Sequence, residues 1–300
     1  MAKIRQHKRK RVTVQALAFL IGNANLPGFV KGTIYQGDLK QLCLPGLNCY
    51  SCPGALGACP LGILQNGLAD PFLRIPFYVL GFLMLTGLVL GRFVCGWLCP
   101  FGWFQDLLHR IRLPGVRQHR LPRLHQSLVW GKYLTLAVFV LIIPLLVLYL
   151  TGYGIPAFCT YVCPSGTLMA GIPLLLTNSG LRALAGWLFG WKAVVLLGII
   201  AVTLAVPRPF CRYLCPLGAI YGLFNRISLY RLTVDHQKCN HCGACTRYCP
   251  MAVPVPEDGN GPECIRCGEC AVICPQQAIR CGFKAGDTQN VSQRHKADIS

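Results

Sequence analysis

Residues 239–250 read CNHCGACTRYCP and residues 264–275 read CIRCGECAVICP. The pattern C-x2-C-x2-C-x3-C-P is therefore written twice within one short stretch. Three thiolates at two-residue spacings reach one iron–sulfur cubane only if the backbone wraps it closely, and the fourth ligand then comes from the other repeat. This crossing assigns Cys239, Cys242, Cys245 and Cys274 to one [4Fe-4S] cluster and Cys249, Cys264, Cys267 and Cys270 to a second. Cysteine pairs also build structural zinc sites. Eight cysteines in this doubled spacing, each set closed by Pro, favour clusters instead. Residues 231–283 are thus expected to form an α+β two-cluster ferredoxin-like domain, with Cys281 a small buried residue of its closing strand.

The remainder of the chain has a different character. Of 300 residues, 53% are hydrophobic and only 13% charged, which excludes an ordinary soluble domain. The expected architecture is an α-helical integral membrane protein with about four transmembrane helices, at about 12–32, 72–91, 128–150 and 186–206. Each approaches the roughly twenty residues that cross a bilayer core of about 30 Å. The run 168–176 is too short to span and reads as an interfacial or re-entrant helix. On this reading residues 1–11 are a basic arm, 12–230 the transmembrane domain with its cysteine motifs, and 284–300 a polar, disordered tail. No small-residue cleavage site follows the first apolar run, so it reads as an uncleaved span and not a signal peptide.

The net charge of +19 suggests nucleic acid at first, but its distribution argues otherwise. Residues 231–300 carry eight Lys/Arg against seven Asp/Glu, whereas residues 1–230 carry twenty-one against Asp38, Asp70 and Asp106 alone. A basic excess confined to loops between apolar runs is a topology signal. It places both termini and the ferredoxin domain on the cytoplasmic side of a prokaryotic inner membrane, with the bilayer as partner and no nucleic acid. Arg74 and Lys192 are expected to snorkel to the outer interface.

Eleven cysteines lie outside the ferredoxin repeat, and ten of them are in the apolar part. A signature recurs there: Cys59-Pro-Leu-Gly, Cys99-Pro-Phe-Gly, Cys163-Pro-Ser-Gly and Cys215-Pro-Leu-Gly. Three copies have a second cysteine four residues earlier, giving Cys95/Cys99, Cys159/Cys163 and Cys211/Cys215, and RFVCGWLCPFG (92–102) matches RPFCRYLCPLG (208–218) as an internal repeat. Residues i and i+4 share one helix face. Pro suits the first position of a helix, so the second thiolate of each pair sits at a helix N-terminus, where the dipole favours its anionic, ligating form. Topology sorts Cys95, Cys99, Cys211 and Cys215 into a complete inner four-thiolate metal site. Cys43, Cys49, Cys52, Cys59, Cys159 and Cys163 form an outer group, from which four are expected to ligate. One or two further iron–sulfur or other thiolate-bound centres follow, with disulfides as the competing reading on the outer, oxidising side.

His109, His119 and His125, in the basic loop, read first as solvated residues and second as a haem or quinone site. His241 lies between two ferredoxin ligands and has no vacant ligand role. No motif for nucleotide binding or hydrolysis occurs.

With twin C-x3-C-P motifs after apolar spans and the doubled ferredoxin pattern at the C-terminal end, the chain resembles the NapH/NosR-type membrane-bound polyferredoxins over about residues 10–280. The resemblance implies electron transfer between a quinol pool or cytoplasmic donors and redox proteins beyond the membrane, or support of metalloenzyme maturation. The flavin-binding domain of the NosR members has no counterpart in these residues, so a flavin is expected on a partner. The segment 43–62 and the pair Cys159/Cys163 are additions to the family pattern. The leading expectation is a membrane-bound electron-transfer subunit of an oxidoreductase system, linking a cytoplasmic donor or quinone to an extracytoplasmic redox protein such as a flavoprotein. The alternatives are a maturation factor or copper reductase for a metalloenzyme, and a quinol dehydrogenase subunit.

Overall fold

The computed structural model describes residues 2–72, 74–111 and 127–283. The fold is helical, with one small sheet in the C-terminal part. Two helices, Ser127–Thr151 and Trp187–Ala205, are long and apolar enough to cross a membrane by length and composition. Their outward sides carry Leu134, Leu146, Tyr149, Val194 and Leu197, all exposed. The expected spans at 128–150 and 186–206 coincide with these helices.

The other two expected spans have a different form. The N-terminal helix runs Ala2–Gly22 and takes in the basic arm. It ends before Asn23 and Asn25, and Leu26–Lys31 forms a separate helix, so residues 12–32 are not one continuous rod. Proline at the start of that second helix lacks the N–H that would carry the first one through. The expected 72–91 span is a helix over Phe77–Leu90. At 1.5 Å per residue it measures about 21 Å, short of a bilayer core of about 30 Å. The short run at 168–176 falls within the apolar helix Pro164–Thr177.

In the C-terminal part, strand β1 (Tyr230–Val234) pairs antiparallel with β2 (Ile279–Phe283), which sets Leu232 opposite Cys281. The two cysteine repeats between the strands have matching backbones. His241 and Arg266 have φ of 54° and 51°, Ala252 and Gln277 have 56° and 49°, and Gly243 and Gly268 have 68° and 77°. Such left-handed residues reverse the chain so that successive N–H groups face inward, the arrangement that cradles an anionic centre.

Asn225 fastens this part to the apolar helices. Buried completely, it accepts from the backbone N–H of Arg92 at 2.8 Å and donates to the carbonyls of Gly261 and Cys264 at 2.8 and 2.7 Å. Arg266 reaches back across the same seam to the carbonyls of Leu90 and Asn225. Asn225→Ala would strand three buried backbone groups at roughly 1–3 kcal/mol each. The expected outcome is an earlier thermal unfolding transition of the purified protein and faster proteolysis of the 231–283 segment.

Candidate metal centres

All four Cys-Pro-x-Gly motifs build the same local structure. Cys59, Cys99, Cys163 and Cys215 are the N-caps of helices beginning at Pro60, Pro100, Pro164 and Pro216, with φ between −73° and −65° and ψ between 108° and 124°. Proline supplies the helical φ and lacks the N–H that a first-turn position cannot use. Glycine three residues after the cysteine turns its N–H onto the sulfur: Gly102 N–H donates to Cys99 Sγ at 3.5 Å, and Gly62, Gly166 and Gly218 do the same for Cys59, Cys163 and Cys215. The motif is a thiolate cradle at a helix N-terminus.

Two of these cradles face each other. Cys95, Cys99, Cys211 and Cys215 are all buried, and every pair among them lies within electrostatic reach. The sequence-expected inner set is thus gathered in one place. Burial pushes the Cys211 thiol up to about 12 and raises Cys95 and Cys215 as well. Gln105 donates to Cys211 Sγ at 3.0 Å and accepts from the N–H of Phe210 at 3.2 Å.

The two halves of this site are cross-linked by arginine. Arg92, in the first repeat, donates to the carbonyl of Cys211 at 3.0 Å, and Arg208, in the second, donates to the carbonyl of Cys95 at 2.6 Å. Both guanidinium groups are fully buried. Glu263 and Lys132 complete the Arg92 end, while Asp106 at 2.5 Å and Arg11 complete the Arg208 end. Burial opposes ionisation of Asp106, yet Arg208 and Arg11 overcome it and hold the carboxyl below its ordinary value.

Both ferredoxin sets are also brought together. Cys239, Cys242, Cys245 and Cys274 line one small cavity. Cys249 lies within electrostatic reach of Cys264, Cys267 and Cys270. The loop from Cys264 to Cys267 rests on the inner site: a side chain at Gly96, between Cys95 and Cys99, would collide with the carbonyl of Ile265. Trp97 Nε1 donates to the carbonyl of Arg266 at 3.2 Å, and the ring of His7 bonds the carbonyl of Cys267 at 2.8 Å.

Of the six outer-group cysteines, Cys49, Cys59, Cys159 and Cys163 line one cavity of about 380 Å³. Cys52 lies beside a different, apolar cavity with Phe19 and Phe29, and Cys43 pairs by a bridge with Ala58. All nineteen cysteines are free thiols in the structure. Among the described residues, no three His, Cys, Asp or Glu converge on a single-ion site. One tetrahedral ion at bonds of about 2.3 Å would hold its sulfurs about 3.8 Å apart. Sulfurs gathered round a wider volume suit a polynuclear core, whose irons and sulfides lie between the thiolates.

The inner and outer groups, expected at opposite faces of a bilayer, approach each other through the loop between Cys43 and Cys49. Gly46, in the loop between Cys43 and Cys49, lies against Cys99, where a Cβ would come within 2.9 Å of the Cys99 Cα. Buried Tyr221 donates to the carbonyl of Pro45 at 3.0 Å and is within electrostatic reach of Cys43 and Cys59 as well as Cys95 and Cys99. Lys192, expected to snorkel outward, instead donates to the carbonyl of Cys159 at 3.1 Å. His109 bonds the carbonyl of Thr203 at 2.9 Å, while His119 and His125 lie outside the described residues. The glutamines were missed in the sequence, although a signal was there: Gln65 and Gln105 each follow a motif cysteine by six positions.

A family model described as a 4Fe-4S binding domain matches residues 72–120, 136–178 and 185–233, and a second 4Fe-4S binding domain model matches 232–254. An uncharacterised protein of Methanocaldococcus jannaschii is 31% identical over 69% of this chain and 79% of its own length. The chain belongs to the NapH/NosR-type polyferredoxins. Other relatives of this polyferredoxin are the methylamine utilization ferredoxin-type protein MauN of Paracoccus denitrificans, 30% identical over 63% of both chains, and the regulatory protein NosR of Pseudomonas aeruginosa, 30% identical over 63% of this chain but 24% of NosR. The chain therefore spans less than two thirds of several relatives that it matches. No solved structure matches it. The three matched segments each contain one C-x3-C-P pair, so Cys159/Cys163 belongs to the same repeat as Cys95/Cys99 and Cys211/Cys215.

Removing one partner of a buried ion pair typically costs about 3–5 kcal/mol. Arg208→Met should therefore destabilise the polyferredoxin on that scale, and Arg208→Met combined with Asp106→Leu should cost less than the single change. Thermal unfolding of both single variants and the double variant would show it, and a double-variant loss equal to the sum of the two single losses would mean that the pair is not coupled.

Proposed function

We propose that this polyferredoxin is a membrane-embedded electron-transfer protein, whose C-terminal ferredoxin domain and inner four-cysteine site form one continuous route. Two relatives carry names that support this reading, MauN being ferredoxin-type and a relative in Escherichia coli a putative electron transport protein. The observation that carries the reading is the contact of the Cys264–Cys267 loop with Gly96, which makes the ferredoxin domain a wall of the Cys95/Cys99/Cys211/Cys215 site. Iron–sulfur clusters bound at these thiolates supply reversible electron uptake at potentials set by charge, hydrogen bonds and exposure.

The chain's own residues do the rest. The helix N-termini and the glycine N–H groups stabilise thiolate charge. Arg92 and Arg208 offset that charge and fix the two repeats against each other, while Gln105 orients Cys211. Cys239, Cys242, Cys245 and Cys274 hold the more exposed end of the route, and Cys249, Cys264, Cys267 and Cys270 the end against the apolar helices.

The basic loops favour a multi-pass protein of a prokaryotic inner membrane with both termini and residues 231–283 in the cytoplasm. Four spans are kept in this proposal, with Ser127–Thr151 and Trp187–Ala205 as the two that satisfy length and composition. The donor is then a cytoplasmic redox protein or a quinol, and the acceptor an extracytoplasmic redox protein such as a flavoprotein.

Iron quantification with EPR on anaerobically purified protein tests the route. Cys95→Ser/Cys99→Ser should remove about four irons per chain and one signal, while the two ferredoxin signals persist. Unchanged iron content would rule out the inner site, and copper in place of iron would turn the reading toward metal delivery.

A further inference from the structure

The inner site is built from two Cys-Pro-x-Gly cradles held together by a glutamine. The same construction occurs a second time. Residues 59–65 read CPLGILQ and residues 99–105 read CPFGWFQ, so each of these motifs ends in Gln six positions after the cysteine. Gln105 accepts the N–H of Phe210, at the start of the opposing C-x3-C turn, at 3.2 Å. Gln65, equally buried, accepts the N–H of Cys159, at the start of its opposing C-x3-C turn, at 3.1 Å. The motif at Cys59 therefore faces Cys159/Cys163 as the motif at Cys99 faces Cys211/Cys215.

One ligand differs. The first repeat places Cys95 four residues before Cys99, but Ala55 stands four residues before Cys59. Cys49 fills that role from the preceding loop. It lies within electrostatic reach of Cys59, Cys159 and Cys163, and all pairs among these four are mutually in reach. Cys49 also accepts the backbone N–H groups of Ser51 and Cys52. Neither Cys52 nor Cys43 lines the cavity that the four share: Cys52 lies beside the apolar one with Phe19 and Phe29, and Cys43 is bridged to Ala58.

Three further features point into the shared cavity. A Cβ at Gly166 would sit 3.8 Å from Cys49 Sγ, 3.9 Å from Cys163 Sγ and 3.9 Å from Lys192 Nζ, so glycine there keeps the space between the sulfurs open. Asn48 lines the cavity, is 1% exposed, and has no partner for either its amide oxygen or its nitrogen. Lys192 brings a positive charge from an otherwise apolar helix to Cys49, Cys159 and Cys163. Four thiols, Cys59 and Cys163 buried and Cys49 and Cys159 half-buried, with an unpartnered amide and a cation round one cavity, describe the wall of an anionic polynuclear centre.

We propose that Cys49, Cys59, Cys159 and Cys163 are the complete ligand set of a further iron–sulfur cluster, with Lys192 as its counter-charge and Cys43 and Cys52 outside it. The site extends the route of the proposed relay and rests on that reading for its purpose, but its occupancy is tested separately. Cys159→Ala/Cys163→Ala and Cys49→Ser should each lower iron by about four per chain relative to wild type, while Cys43→Ser and Cys52→Ala leave it unchanged. Lys192→Met keeps every ligand and should move the midpoint of one signal downward, because a nearby cation favours the more negative, reduced state; the other signals stay in place. This variant speaks for the site even if the cysteine variants fail to fold.

Unchanged iron in Cys159→Ala/Cys163→Ala, alongside loss in Cys95→Ser/Cys99→Ser, would overturn this proposal and leave the relay intact; loss in neither would remove both. Zinc or copper bound in place of iron, a disulfide recovered among the four cysteines after non-reducing digestion, or loss of iron in Cys43→Ser would likewise overturn it.

Discussion

An arginine taken out of water into an apolar interior costs several kcal/mol unless its charge and its N–H groups are matched, and Arg92 and Arg208 are both fully buried. Each is matched from two directions. One hand of Arg92 holds Glu263 and the carbonyl of Pro262 in the ferredoxin domain, and the other holds the carbonyl of Cys211 in the opposite repeat. Arg208 grips Asp106 and the carbonyl of Cys95 in the same manner. Neither repeat can be rearranged without exposing a charge in the other, so the four inner cysteines inherit their relative position from this exchange.

The same ion network continues to the N-terminus. Arg11 bridges Asp106 at 2.9 Å and Glu269 at 2.8 Å, and Glu269 follows Cys267 by two residues. The Ala2–Gly22 helix thus lies along the seam between the inner site and the ferredoxin domain. Gln15 donates to the carbonyl of Gly96 at 3.0 Å, on the turn that carries Cys95 and Cys99. The basic residues of the N-terminal segment divide accordingly: Arg11 is a buried member of the network, whereas Arg9 and Lys10 stay in the open.

Motif-level features were legible in the sequence because they are short-range. Proline after cysteine dictates a helix start whatever surrounds it, and all four Cys-Pro-x-Gly copies follow the rule. Each ferredoxin triplet is legible from its two-residue spacings, and the expected fourth thiol follows the usual crossing between repeats. The pairing of outer cysteines was not legible, since Cys49 and Cys52 are equivalent by composition and only the fold shows which one faces Cys163. The break at Asn23–Asn25 was visible as a weakness in an apolar run. That Lys192 would face inward was hidden, because a lysine near a helix end reads as solvated until its neighbours are known.

The partners of Arg92 are far apart along the chain: Glu263 is 171 residues downstream of it and 131 downstream of Lys132. At a synthesis rate of about 5–20 residues per second, the first charge waits about 10–30 s for its carboxylate. During that interval the early helices carry two unneutralised cations at the edge of the site that they will enclose. The contacts that hold Arg92 at the edge of the inner site are therefore complete only once residues 262 and 263 have been made.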